Sequence, residues 1–511
     1  EICLIYLRFT CQNNLHYLSN SKQSRKTDFI RQIRHSHFIN MEQKGNFKIN
    51  IMMPLDTLHV DGELRGKPKN LKKIEQQLKL AMENKKVEGA MIDIWWGLVE
   101  RAPQEYDFGG YIEVFKMFRR LNLKVQPVFS FHQCGGNIGD QVTINLPDFV
   151  LKCASENRLF YEDQFEEKKK DPKYQNVEYL SPSANLQRVF PSKTGAFRTG
   201  LELYKDFLSA FVLQFGDFMG IIDQIHIGCG PCAEMRYPSY PSYNGWQYPS
   251  YGQFMCFDPI MFKKLQTHFT QQNQQIDKEF FQNMKSYSTY ELPADTEKLQ
   301  LFMEFYEEQL IDHTQQLIEI YKQIFASKQL SVKISGVHWQ YGNQHAAEWT
   351  TGYYNTKDRN GYARIAELLG KTGVSLCFTC VEKLNNLERK WCDSSMPEDL
   401  VQQIVDTCDT YNVHLHVENA QELYEEKFQI KKLVTCWRQY NQMVKTFKAA
   451  DNIESLTFLR LDDRLFKFWN WVLFKLFVRK VRGQKLLQHP LLMAQAVLGL
   501  AFIVYLLIST K

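Results

Sequence analysis

Two glutamates, Glu234 and Glu418, each follow a short run of β-forming residues and sit among unusual neighbours. Glu234 lies in IIDQIHIGCGPCAEMRYPSYP (221–241) and Glu418 in VHLHVENAQ (413–421). A β-run that ends in a carboxylate is how a parallel barrel presents an acid group at its open face. Two carboxyls facing each other are the minimum apparatus for splitting a glycosidic bond. Most Asp and Glu residues in any chain are solvated charges. These two depart from that default because Cys, Asn and Gly surround them in place of a helical charge pattern.

The elements that must position them are legible as alternation. Eight β-rich runs recur at 48–55, 89–96, 124–131, 221–228, 330–339, 374–380, 413–419 and 455–461. Between them stand amphipathic stretches such as NLKKIEQQLKLAMENK, TGLELYKDFLSAFVLQFGDFM and EDLVQQIVDTCDTY, with helical spacing of their apolar residues. Eight strand–helix units predict an α/β fold, a single (β/α)8 barrel of TIM type with long active-face loops. Polar clusters fall at or beside the carboxyl ends of these runs: Asp93, His132 with Asp140, Glu234, Lys333 with Gly336 and His338, Thr379, Glu418 with Asn419, and Arg460. In this fold that end is the active face. The repetitive YPSYPSYNGWQYPSY (237–251) is rich in proline and reads as a loop after the fourth strand.

Composition narrows the classes. The chain has 511 residues, 44% hydrophobic and 23% charged, which is ordinary for a globular protein. A net charge of +5 without a basic stripe argues against nucleic acid as a partner. The 14% aromatic content suits either stacking on flat ligand faces or a large core. Twelve cysteines in a chain of this size do not make a disulfide scaffold, so reduced, partly buried thiols are expected.

The two ends read differently from the middle. The sequence opens on Glu1, and residues 1–45 lack periodicity, so they are expected to be a disordered or untranslated leader; the barrel is assigned to 46–485. Residues 491–508, LLMAQAVLGLAFIVYLLI, carry Gln495 as their one polar residue and follow Arg479, Lys480, Arg482 and Lys485. At ~1.5 Å per residue such a helix reaches about 27 Å, enough for a thin bilayer core. Residues 486–511 are therefore read as a candidate C-terminal transmembrane helix that would hold the barrel in the cytosol by positive-inside bias. A buried terminal helix is the alternative.

FSFHQCGGNIGD, AEMRYPSYP, KISGVHWQY, HAAEWTTGYYN, FTC, ENA and LRL, in that order, resemble the β-amylases, the fourteenth family of glycoside hydrolases. The likeness runs from about residue 48 to about residue 470. It implies an exo-acting, inverting hydrolase that releases β-maltose from the non-reducing ends of α-1,4-glucans such as starch or glycogen. By the same resemblance Glu234 is the general acid and Glu418 the general base. Asp93, His132 and Asp140 would hold the innermost glucose, Asp140 from a loop that closes over substrate. Lys333, Gly336 and His338 would contact glucose subsites, Thr379 would lie on a mobile inner loop, and Asn419 and Arg460 beside the site. No cofactor and no metal is implied, and a monomer is expected rather than an oligomer. Two departures stand out. The acid is preceded by Cys232 and Ala233, and Gln421 replaces an apolar residue that grips coiled glucan ends.

Three other readings compete. CGPC (229–232) and CFTC (377–380) are C-x-x-C strings that suggest redox or zinc chemistry, but the prolines after the first forbid the helix that a redox dithiol opens. A retaining barrel glycosidase also carries its Glu pair after strands four and seven, though typically with Asn before the acid. A catalytically silent glucan sensor or membrane scaffold on the same barrel would be expected to lack a carboxylate, and none is missing here.

Overall fold

The computed structural model describes residues 47–83, 86–137, 139–164, 176–276, 280, 296–342, 346–424, 426–427 and 429–483. Eight parallel strands close into a barrel: β1 Lys48–Met52, β2 Gly89–Trp95, β3 Lys124–Ser130, β4 Gln224–Ile227, β5 Gln329–Ile334, β6 Ser375–Phe378, β7 Leu415–Glu418 and β8 Ile453–Phe458. Their order around the barrel is the order of the chain, with β8 pairing back onto β1 through Ile51↔Phe458. Each strand lies within one of the eight predicted runs or overlaps it closely.

The strands are buried along nearly their whole length, β2 at every position. That is why they read as continuous apolar runs and not as alternating ones. Each strand–loop unit ends in a helix, α1 Leu71–Met82, α2 Gly109–Arg120, α3 Gly200–Phe215, α4 Thr296–Ile324, α5 Ala363–Thr372, α6 Pro397–Thr410, α7 Ile430–Ala449 and α8 Phe468–Val481, and further helices such as Asp148–Glu156 and Pro259–Gln271 lie in the loops. Local signals set their ends. Thr199 and Glu202 form a reciprocal capping box at the start of α3, and Gly373 takes a left-handed conformation (φ 63°) just after α5.

Much of the aromatic content goes to the core. Phe108, Phe115, Phe129, Phe131, Phe207, Phe211 and Phe215 interlock between β3, α2 and α3, with the Phe211 and Phe215 rings stacked 4.1 Å apart. Such pairs favour the barrel wall by about 0.5–1.5 kcal/mol each beyond area burial.

Among the described residues no helix is long and apolar enough to cross a membrane. The candidate transmembrane run 491–508 and the leader 1–45 lie outside the described residues.

Candidate active site

Glu418 is the last residue of β7, in register with Thr457 of β8, and is 4% exposed. The Lys333 ammonium of β5 lies 3.0 Å from its Oε2, and the Cys377 thiol of β6 donates to its Oε1 at 3.4 Å. Three adjacent strands therefore converge on one carboxylate. Burial by itself would push the Lys333 ammonium down, but Glu418, Cys377, Asp93 and Glu234 raise it above its ordinary value, so it stays charged. A buried carboxylate paired with a permanent cation is suited to act as a base.

Glu234 is held differently. β4 stops at Ile227, and the chain then turns through the 3₁₀ segment Pro231–Ala233 before Glu234. Cys232 and Ala233 both adopt positive φ (54° and 59°), a conformation that costs non-glycine residues about 1–3 kcal/mol each. The turn is recaptured by β5, where the Met235 amide donates to the Lys333 carbonyl at 2.7 Å. Lys333 thus joins both carboxylates, through its backbone on one side and its ammonium on the other.

Arg236, fully buried two residues after Glu234, donates from Nε to Glu234 Oε2 at 2.7 Å. Its Nη2 reaches Asn137 Oδ1 at 2.7 Å, and its guanidinium lies 4.5 Å from the centre of the Tyr240 ring. Arg236 lies in the AEMRYPSYP string, which carries no role for it in the sequence alone. The signal was its spacing, since i and i+2 share a face in extended chain.

The remaining expected residues split into two groups. Asp93 Oδ2, His132 Nδ1 and Arg460 Nη1 are buried and find no hydrogen-bond partner among the described residues. Buried polar atoms are normally satisfied, so these three are suited to bind the hydroxyls of a sugar. Burial pushes the Asp93 carboxyl up, against Lys333 and the hydrogen bond from Ser130 at 2.8 Å. Burial also pushes the His132 imidazole down to about 3, with the Arg236 and Lys333 charges adding to it. His132 is accordingly neutral, its ring set edge-on to Trp95.

The second group already has protein partners. Asn419 spends both ends of its amide on the backbone, donating to the carbonyls of Gln421 and Leu459 and accepting from the Leu459 amide. It ties the turn after the base to the end of β8. Asp140 accepts from the Gly135 and Asn137 amides at 2.8 and 2.9 Å and so braces its own loop, in which Gly135 and Gly139 take positive φ. His338 shares a 2.8 Å hydrogen bond with Ser395, and burial holds it neutral, down to about 3. Gly336 packs against Cys380, where a side chain would clash at 2.6 Å. Thr379 lies half-buried just past β6. Gln421 receives a 2.9 Å hydrogen bond from Lys383, which also pairs with Glu388.

Sequence reading missed Glu382. Fully buried, its carboxylate accepts from the Ala420 and Gln421 amides at 3.0 Å and clasps the turn after the base. Its signal was its place immediately after CFTCV, at the end of the sixth run. The C-x-x-C readings find no support. All described cysteines are free, and burial pushes the Cys229 thiol up to about 12. Pro231–Ala233 is one short turn and opens no helix. Among the described residues no three His, Cys, Asp or Glu group to hold a metal.

An orphaned polar rim around two carboxyls at the open end of a barrel is a glycosidase arrangement, and comparison with known proteins decides which. The glycosyl hydrolase family 14 description matches residues 50–485. This chain belongs to glycosyl hydrolase family 14. It is similar to the chloroplastic β-amylase 2 of Oryza sativa subsp. japonica, 36% identical over 86% of this chain and 78% of that one. It is 34% identical to a β-amylase of Zea mays over 85% of this chain and 88% of that one. In fold it resembles the crystal structure of the catalytic domain of a β-amylase from Paenibacillus polymyxa, with a TM-score of 0.64 and 23% identity, covering 84% of this chain and 98% of that one.

Proposed function

We propose that this family 14 protein is a β-amylase: an exo-acting, inverting hydrolase that releases β-maltose from the non-reducing ends of α-1,4-glucans, starch or glycogen. The observation that carries this reading is Lys333, whose backbone holds the turn bearing Glu234 and whose ammonium pairs with Glu418. Glu234 protonates the departing glycosidic oxygen. Glu418, paired with Lys333, takes a proton from the water that attacks the anomeric carbon from the opposite face. Asp93, His132 and Arg460 bind the terminal glucose through the polar atoms that lack protein partners. Asp140, Lys333, Gly336, His338, Thr379 and Asn419 shape or brace the same cleft. Both carboxyls and their partners are intact, which favours catalysis over a silent sensor. Proton NMR of the first product formed from maltopentaose tests the mechanism: β-maltose is expected, and an initial α-anomer would exclude single displacement.

The domain reading accompanies this one. Residues 46–485 would be the catalytic barrel and 486–511 an anchor that holds it at a membrane facing the cytosol. Its support is the apolar run 491–508 behind four basic residues. Deleting 486–511 should move the protein from the membrane pellet to the supernatant with activity unchanged. A full-length protein already in the supernatant after high-speed centrifugation without detergent would sink the anchor.

A further inference from the structure

An acid that must deliver a proton sits 2.7 Å from a buried arginine, and that cation by itself favours loss of the proton. Something must share the charge of Arg236. The titratable groups facing Glu234 or Arg236 from the packed elements include His132, Cys232, Tyr240, Lys333, Tyr353, Cys377, Cys380 and Glu178, with Asp140 facing Cys232 and Glu178 in turn. Of these Glu178 is placed for the task. It is 3% exposed, and it belongs to none of the motifs that identify the family in this sequence. Its backbone is fixed beside the site, because the Gln133 amide, next to His132, donates to its carbonyl at 2.7 Å. Its Oε1 accepts from Asn137 Nδ2 at 2.5 Å, and the other end of that same amide accepts from Arg236. A hydrogen-bonded chain therefore runs Glu178–Asn137–Arg236–Glu234, with a carboxyl at each end and the cation between them.

We propose that Glu178 is a positioning residue for the general acid: through Asn137 it fixes the Arg236 fork and draws part of its positive charge away from Glu234, so that Glu234 can hold the proton it must give. The inference rests on Glu234 being the acid. Burial supports it by pushing the Glu178 carboxyl up to about 7, against Arg236 and the Asn137 hydrogen bond, with Asp140 and Glu234 adding to the rise. Glu178 thus gains its charge in the neutral range.

The test is the pH profile of kcat/KM for Glu178→Gln, which keeps an acceptor for Asn137 but removes the charge. The alkaline limb should move about 0.5–1 unit toward lower pH, the size of effect expected from one nearby charge. The acidic limb should stay in place, and Glu178→Asp should restore the alkaline limb. Asn137→Asp, which adds a charge beside Arg236, should move that limb the other way and serves if Glu178→Gln does not fold. An alkaline limb that stays in place in every folded variant overturns the proposal. Glu234→Gln separates the two claims: if it keeps full turnover the acid assignment has failed, whereas an inactive Glu234→Gln with unmoved limbs in the other variants defeats the role of Glu178 alone.

Discussion

The acid side and the base side of this cleft are built in opposite ways. Glu418 is a strand residue, locked into the β7–β8 ladder and gripped by side chains from β5 and β6. Glu234 lies beyond its strand on a turn with two left-handed non-glycine residues, and a single arginine holds its carboxylate. Their side chains are 5% and 12% exposed, so the acid is also the more open of the two. A base has to be charged and stationary, and a barrel strand beside a permanent cation supplies both. An acid has to approach a leaving oxygen and cycle a proton, which calls for a carboxyl on a turn whose partner's charge is shared. Fixity and adaptability are therefore divided between frame and loop within one site.

The largest effects should come from the carboxyls themselves. Glu234→Gln and Glu418→Gln should each lower kcat by at least about 10²–10⁴-fold, with glucan binding retained. If either variant keeps a tenth of wild-type turnover, its side of the comparison is misassigned. Lys333→Met should come next, because it leaves Glu418 buried and unpaired. A loss of stability of about 3–5 kcal/mol, read by urea unfolding, should accompany loss of turnover. A stable, active Lys333→Met would mean that the base does not need the frame.

Asp140→Asn sharpens the acid side. It weakens the two amide contacts that brace the Asn137 loop. Turnover should fall roughly 10- to 100-fold, in keeping with the ~1.5–3 kcal/mol of a hydrogen bond to a charged group, and the melting temperature should barely change. A purely structural role would reverse that pattern.

The last effect, read in stability and not in turnover, concerns His132. Its imidazole is depressed to about 3 in the folded protein from an ordinary value near 6.5. The unfolded chain therefore binds the extra proton first as pH falls. The stability gained from a neutral His132 is complete above about pH 6.5 and is lost progressively toward pH 3. His132→Gln cannot take up that proton and should lose less melting temperature between pH 6.5 and 4 than the wild type. Equal losses would mean that His132 does not titrate with unfolding.

The eight strands were legible because residues buried on both sheet faces leave apolar runs in the sequence, and the eight helices because their faces repeat every 3.6 residues. Glu234 and Glu418 could be picked out by their place at the ends of such runs. Lys333 was legible as a polar residue of the fifth run expected to contact glucose; the structure adds its pairing with Glu418 across β6. Arg236 was visible and went unassigned, since spacing tells which face a side chain shares but not what it meets there.

Sequence alone determined the barrel, its open face and the carboxyls presented there, because strand period, burial and chain order are local properties that survive without coordinates. Tertiary structure alone decided the partners. Asn137 meets both Glu178 and Arg236, Glu382 clasps Ala420, and Asn419 turns inward to Leu459, each across 38 or more residues of chain. Such pairings depend on strand register and on the conformations of loops that carry no period of their own. Strand register settles which carboxylate receives a lysine, and the packing of those loops at the barrel mouth settles which one shares an arginine with a second acid.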